Sequence, residues 1–416
     1  MSTGATPSDS GPARFVHHPD LTHWRLAEAH PFRPDRLQAL YELLTAWELL
    51  DPAQVIAPEP LRPNELERLH DPDYLRAVRR LSRGDAVDDP RRFGLGTADT
   101  PIFPGMHDAI EAVCSASVTA VRTILDGQTR RAASFAGGLH HAMPARASGF
   151  CIYDDASLAI LRATDRDWRV AYLDLDAHHG DGVQQAFYDS DRVLTISVHE
   201  SGRYLFPGTG HGYELGSGPG RGWSVNLPLE PFTEDGSYRE TFERVVPRAL
   251  EAFAPDLIVL QTGADGHRDD PLADLALSVR GMRDLYRRVV ELAERHADGR
   301  LLMLGGGGYE PYAVAVRAWA QAWAALTGRD TPGRLPEAWR RRWSERAGKP
   351  LPEGAVDDPE RWAPQPRRAL IRGHNLAIAH RSLAQLEPLW SEAAPRREAT
   401  EATEATVPTD RKERSA

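Results

Sequence analysis

The chain has 416 residues, 41% of them hydrophobic, enough to bury a large core in one α/β domain or two smaller ones. A net charge of −10 gives no global attraction to phosphate backbones, which argues against nucleic-acid binding. Only two cysteines occur, Cys114 and Cys151, which excludes both a disulfide framework and a cysteine-rich structural zinc site.

In chain order, residues 1–13 are rich in Ser, Thr, Gly and Pro, with no basic and apolar segments of a secretory signal, and are expected to be disordered. No window approaches 18 uninterrupted apolar residues, so no membrane partner is expected and the default location is the cytoplasm. Apolar runs of strand length follow at Ala132–Phe135, Val170–Leu175, Val193–Val198, Ser224–Leu229, Leu257–Gln261 and Leu301–Leu304. Several are nearly continuous in Val, Ile and Leu, as in strands buried on both faces. Amphipathic patterns at Tyr238–Phe253 and Leu275–Ala297 predict helices between them, and such alternation predicts a mostly parallel sheet with helices on both faces. The absence of a linker-like break predicts one domain over residues 14–390, with 331–390 as a helical appendix. The run Arg340–Arg342, close to Glu337 and Glu345, reads as a solvated helix face. Residues 391–416, with their Glu-Ala-Thr repeats, are expected to be a disordered polar tail.

Unusual polar residues cluster at the C-terminal ends of the predicted strands: Gly137 to His141, Asp174 to Asp181, Gly263 to Asp265 and Gly305 to Tyr309. In open α/β sheets ligands bind outside those ends. In Asp174-Leu-Asp-Ala-His-His-Gly-Asp181, strand alternation would turn Asp174, Asp176 and His178 to one side, if the strand persists that far. With Asp265 from a neighbouring strand end, an Asp/His/Asp set leaves a fourth position open, as catalytic zinc sites do. Without thiolates, Mn²⁺ or Fe²⁺ is also chemically admissible. An isolated Asp-x-Asp is more often a helix cap or ion pair. Here five charged or imidazole groups fall within eight residues at the end of a buried strand, and a cation is the simpler account.

His140 and His141 follow a Gly-Gly loop at another strand end. A lone histidine there is usually a packing or capping residue. A pair with carboxylates to spare can act as general base and acid. Gly305 to Gly308 costs backbone entropy that a fold tolerates where the backbone must approach something closely. No Lys-Ser or Lys-Thr follows, as a phosphate-binding P-loop requires, and a tyrosine at the end of such a loop, here Tyr309, can swing a hydroxyl towards a developing oxyanion.

Taken together, six segments resemble the histone deacetylase superfamily, and within it the bacterial acetoin-utilisation-type deacetylases. They are Gly137-Gly-Leu-His-His-Ala142, Gly149-Phe-Cys151, Asp174-Leu-Asp-Ala-His-His-Gly-Asp-Gly182, Phe206-Pro-Gly-Thr-Gly210, Gly263-Ala-Asp265 and Leu304-Gly-Gly-Gly-Gly-Tyr309. The similarity runs from about Phe15 to Trp319. It implies the arginase–deacetylase fold, a three-layer α/β/α sandwich. It also implies Zn²⁺ on Asp176, His178 and Asp265, with His141 as general base and acid oriented by Asp181. His140 paired with Asp174 would assist electrostatically, and Tyr309 would bond the carbonyl oxygen. Gly149, Phe150 and Phe206 would line a narrow tunnel with Leu272 near its mouth, Asp99 would anchor substrate backbone at the rim, and Arg36 would face an inner cavity. The family's K⁺ site would use Asp174, Asp176, His178, Ser197 and Val198, mostly through carbonyls. A second monovalent cation would sit at Phe187, Ser190, Val193 and Trp223, where Trp223 replaces a common Tyr.

The expected activity is hydrolysis of Nε-acetyl-lysine in an acetylated protein, an acyl-CoA synthetase by analogy with the acetoin-utilisation resemblance. Deacetylation of a small molecule such as an acetylpolyamine is the nearest rival. A non-catalytic acetyl-lysine binding module is a rival of another class, favoured had Tyr309 or His141 been lost. Arginase-like chemistry would need a second metal and more ligands than one Asp-x-His pair. Oligomeric state is not legible.

Overall fold

Short runs of Val, Ile, Leu and Ala, buried on both faces, make the sheet. The computed structural model describes residues 11–404, with side chains to Glu392. Its strands are β1 (Arg14–Val16), β2 (Val55–Ile56), β3 (Arg131–Ser134), β4 (Val170–Asp174), β5 (Val193–Glu200), β6 (Ser224–Leu229), β7 (Leu257–Gln261) and β8 (Leu301–Leu304). The helices are α1 (Arg36–Ala46), α2 (Pro72–Ser82), α3 (Met106–Leu125), α4 (Asp155–Thr164), α5 (Asp181–Ala186), α6 (Asp235–Phe253), α7 (Val279–His296), α8 (Val316–Leu326), α9 (Glu337–Ala347) and α10 (Arg368–Glu404). All six predicted strands are present, three with the expected bounds and three with ends shifted by one or two residues. The two short N-terminal strands were not expected, because two or three residues carry no periodicity.

The sheet runs β2-β1-β3-β8-β7-β4-β5-β6 with every pairing parallel. Helices α3 and α4 pack together on one face, and α6, α7 and α8 form a second packed group. Strand β3 touches α3 from the first group and α8 from the second. This is the expected three-layer α/β/α sandwich. The chain passes from β3 to β4, walks outward to β6, then returns to insert β7 and β8 between them. The four central strands therefore end side by side where strand order reverses, which is where open α/β sheets hold ligands.

Helix α7 begins at Val279 rather than Leu275. Ala276 and Leu277 instead bridge Glu234 and His267, and Ser278 caps the helix by accepting the Gly281 N–H. In the appendix, α9 docks on α1 through the buried Trp339 and Trp343, whose indole N–H groups donate to the Ala39 carbonyl and Glu42. Arg341 and Arg342 are exposed and Arg340 half-buried; Arg340 and Arg342 pair with Glu353 and Glu42, so this face is ion-paired surface. Helix α10 lies on α6 and edge strand β6 and continues as helix to Glu404, through part of the segment expected to be disordered. Residues 1–10 and 405–416 of the two expected disordered ends lie outside the described residues. Cys114 and Cys151 are free and buried. Among the described residues no helix is long and apolar enough to cross a membrane.

Candidate active site

Strand β4 ends at Asp174, so strand alternation does not gather the acidic segment as expected. Two successive side-chain turns do it instead: Asp174 Oδ1 accepts the Asp176 N–H at 3.0 Å, and Asp176 Oδ1 accepts the His178 N–H at 3.0 Å. Ligating atoms of Asp176, His178 and Asp265, all buried, lie within 4.8 Å of one another. Backbone also holds Asp176 Oδ2, by the Gly307 N–H at 2.7 Å, and Asp265 Oδ1, by the Ala177 N–H at 2.8 Å. The other oxygens meet His178 Nδ1 at 3.2 and 2.9 Å. Two buried carboxylates at this spacing demand a positive charge. Burial opposes a charge on His178, yet the carboxylates prevail and raise its pKa to about 10. Burial and the neighbouring Asp176 charge raise Asp265 to about 6. The donor set fits a divalent cation that replaces that proton.

Two imidazoles adjoin this centre. His140 Nδ1 meets Asp174 Oδ2 at 2.8 Å, and the same oxygen accepts the Tyr172 hydroxyl at 2.8 Å. His141 Nδ1 meets Asp181 Oδ1 at 2.7 Å. Burial disfavours charge on both, but Asp174 and Asp176 carry His140 up to about 9. Burial and the adjacent His140 charge hold His141 down to about 4, despite Asp181. The loop bearing them is fastened by Asp155, which accepts the N–H groups of Gly138 and Leu139 and the Ser117 hydroxyl. Gln261 donates to the Gly138 carbonyl at 2.8 Å.

The glycine loop after β8 explains its own composition. A side chain at Gly307 would fall on Asp265 Oδ2, and Gly306 and Gly308 hold φ of 124° and 138°. Arg36, buried between Phe32 and Trp319, donates to the carbonyls of Gly306 and Gly308 at 2.7 and 2.8 Å. Burial lowers its pKa to about 10, with Tyr309 and the acidic groups opposing. Tyr309 is held from behind, its N–H donating to Asp270 Oδ2 at 2.7 Å, while Asp270 Oδ1 accepts the Leu272 N–H at 2.9 Å.

Gly149 and Phe150 both take left-handed backbone, at φ 51° and 70°, and a side chain at Gly149 would strike the His141 ring. Strain of this kind is characteristic of functional sites. Phe150 meets Tyr309 edge-on at 5.6 Å between ring centroids, and Phe206 meets His141 at 5.0 Å. Phe150 is half-buried and Phe206 exposed, so aromatic walls flank the two polar groups and reach the surface. Asp99 is exposed, and its carbonyl accepts from His30 Nε2 at 3.2 Å, with the His30 ring against Phe150. The residues expected to serve as catalytic, metal and wall groups are thereby brought together, with exposed Asp99 joined through His30 to Phe150 and Arg36 beneath the glycine loop.

Of the monovalent-cation positions, Asp174 and Ser197 face each other across the β4–β5 ladder, and the Val198 carbonyl accepts the Tyr238 hydroxyl at 2.9 Å. Phe187 and Ser190 share a turn before β5, which starts at Val193, and the Trp223 carbonyl accepts the Thr195 N–H at 2.9 Å. Sequence reasoning missed Asp155, Tyr172, Asp270 and His30. No motif marks them: Asp155, Asp270 and His30 act across the fold on distant backbone groups, and Tyr172 acts through its hydroxyl on Asp174 of the same strand.

The histone deacetylase domain matches residues 30–326. The acetoin utilization protein AcuC of Bacillus subtilis is 38% identical over 371 residues, covering 89% of this chain and 96% of that protein. Its namesake in Staphylococcus xylosus is 36% identical, covering 90% and 98%. The crystal structure of an HDAC homologue complexed with SAHA aligns with a TM-score of 0.79 at 29% identity, covering 88% of this chain and all of that one. An HDAC homologue from Aquifex aeolicus aligns at 0.76 and 27%, covering 88% and 99%. Fold and site define a deacetylase with a buried Asp/His/Asp set fit to hold a metal ion. The chain belongs to the histone deacetylase family.

Proposed function

We propose that this deacetylase hydrolyses the amide of Nε-acetyl-lysine in proteins, using Zn²⁺ and releasing lysine and acetate. The carrying observation is that carboxylate-oriented His141 and the Tyr309 ring both pack edge-on to His178, beneath the aromatic walls of Phe150 and Phe206. Asp176, His178 and Asp265 would hold the cation, which would supply Lewis acidity toward the acetyl carbonyl and the attacking water. Asp181 accepts a hydrogen bond from the Nδ1–H of His141, which leaves Nε2 free to accept the proton of the water as it attacks. The same Nε2 proton then passes to the departing lysine amine. Tyr309 donates its hydroxyl proton in a hydrogen bond to the carbonyl oxygen as negative charge develops there. His140 stays charged and steadies that charge from the side. Gly149, Phe150 and Phe206 suit the lysine methylenes, with Leu272 near the mouth, and Asp99 at the rim suits a substrate backbone N–H.

The acetylated partner proposed is an acyl-CoA synthetase, on the strength of the acetoin-utilisation relatives. Asp174, Asp176, His178, Ser197 and Val198 are proposed to bind K⁺, and Phe187, Ser190, Val193 and Trp223 a second monovalent cation. Fe²⁺ is the alternative occupant of the Asp/His/Asp site.

Acetate release is measured from an acetyl-lysine peptide and from acetylputrescine, with Tyr309→Phe as control. Faster turnover of the peptide is expected, with kcat about 10²–10³-fold lower in the variant and zinc content unchanged. Preference for acetylputrescine would move the substrate to small molecules, and zinc-loaded protein silent on both would be a binding module.

A further inference from the structure

Past residue 326, where the match to the deacetylase domain ends, the chain forms an antiparallel bridge between Arg334 and Gly354 and then sets Asp357 against three separate elements. Asp357 Oδ1 accepts from the buried Arg317 of α8. Its Oδ2 accepts the N–H of Val279, the first residue of α7, at 2.8 Å and meets His267 Nε2 at 2.9 Å. His267 lies two residues beyond Asp265 and is itself buried. Its Nδ1 accepts the Asp269 N–H at 3.1 Å, so the proton sits on Nε2 and is donated to Asp357. The His267 carbonyl accepts the Asp270 N–H at 2.9 Å, and Asp270 holds the Tyr309 N–H. A second grip comes from Trp362, whose ring lies 4.2 Å from the Arg268 guanidinium and edge-on to His267.

We propose that Asp357 is a positioning residue for this enzyme. Through His267 it holds the loop that presents Asp265 to the metal site and fixes Tyr309 by way of Asp270. The physical need is plain: residues 263–275 form no strand or helix, only an isolated bridge of His267 to Leu277, yet they carry a metal ligand and the clamp on the oxyanion donor. Groups of that kind reach catalytic tolerance only when a second layer of hydrogen bonds locks them. The C-terminal appendix is thus a working part of the active site. This inference rests on the reading of the site under Proposed function.

Removing Asp357 itself would strand the buried Arg317 guanidinium, so the informative variants are His267→Ala and His267→Gln in the full chain. Three quantities are compared: kcat and KM on an acetyl-lysine peptide, the rate of Zn²⁺ loss to a chelator, and amide exchange of residues 264–272 and 305–310 in metal-free protein. For His267→Ala, kcat is expected to fall about 10–100-fold with KM within about twofold, and Zn²⁺ loss and amide exchange to speed up by a similar factor. His267→Gln keeps a donor toward Asp357 and is expected to recover most of each loss. A lowered melting temperature with wild-type kcat, Zn²⁺ release and exchange would overturn the proposal. If wild-type protein turns over no acetyl-lysine peptide, the deacetylase reading fails alone, and the Zn²⁺ and exchange measurements still decide the role of Asp357.

Discussion

His140 and His141 are neighbours with ring centroids 4.0 Å apart, yet they hold opposite charge states. Asp174 and Asp176 keep the first protonated, and its charge adds to burial in keeping the second neutral. Activity needs a neutral His141, so the rate is expected to rise as pH climbs through the pKa of His141, depressed to about 4. In His140→Gln the neighbouring positive charge is gone, His141 becomes easier to protonate, and the acid limb is expected to move to higher pH. A pH–rate profile of kcat/KM checks this; an acid limb that stays in place would show that His140 does not set the state of His141.

At the scale of elements, four loops do what four strands aim. The sharpest case is the glycine loop, where the backbone N–H of Gly307 reaches Asp176 because no side chain keeps Asp265 away. Gly307→Ala puts a methyl group on Asp265 Oδ2 and is expected to weaken Zn²⁺ binding by about tenfold or more, measured by competition with a chelator. The loop of His140 and His141 depends likewise on Asp155. Asp155→Ala leaves the buried N–H groups of Gly138 and Leu139 without partners, at roughly 1–3 kcal/mol each, and a lower urea midpoint is the expected readout. The strands were legible because burial on both faces writes continuous apolar runs. The loop geometry was not, and Asp174 to His178 shows why. Composition announces the ligands, but whether alternation or side-chain turns gather them depends on where the β4 ladder stops.

For the whole molecule, acid sensitivity has a specific source. His70 is buried with Nε2 accepting the Asp154 N–H at 3.1 Å, and burial lowers its pKa to about 4. The unfolded chain, with a pKa near 6.5, binds a proton that the folded protein refuses. Stability from this group is therefore complete above about pH 6.5 and lost as pH falls toward 4, by about 3 kcal/mol in all. Half-buried His17, also lowered to about 4, acts in the same direction. Urea midpoints between pH 7.5 and 5 are expected to fall less steeply in His70→Gln than in wild type; parallel slopes would place the sensitivity in other groups.

The sequence by itself determined the parallel sheet, the four strand ends that carry the site and the chemical types of its groups. Each of these is a local matter of hydrophobic period or residue identity. Only the tertiary structure decided that Asp155, Asp270 and Asp357 belong to the site, because they meet the residues they support only once the chain has folded back. It also decided the charge states of His140 and His141, which depend on burial and on carboxylates 34 and 40 residues away. Residue types are written in the chain; dielectric, distance and second-layer hydrogen bonds exist only in the folded molecule.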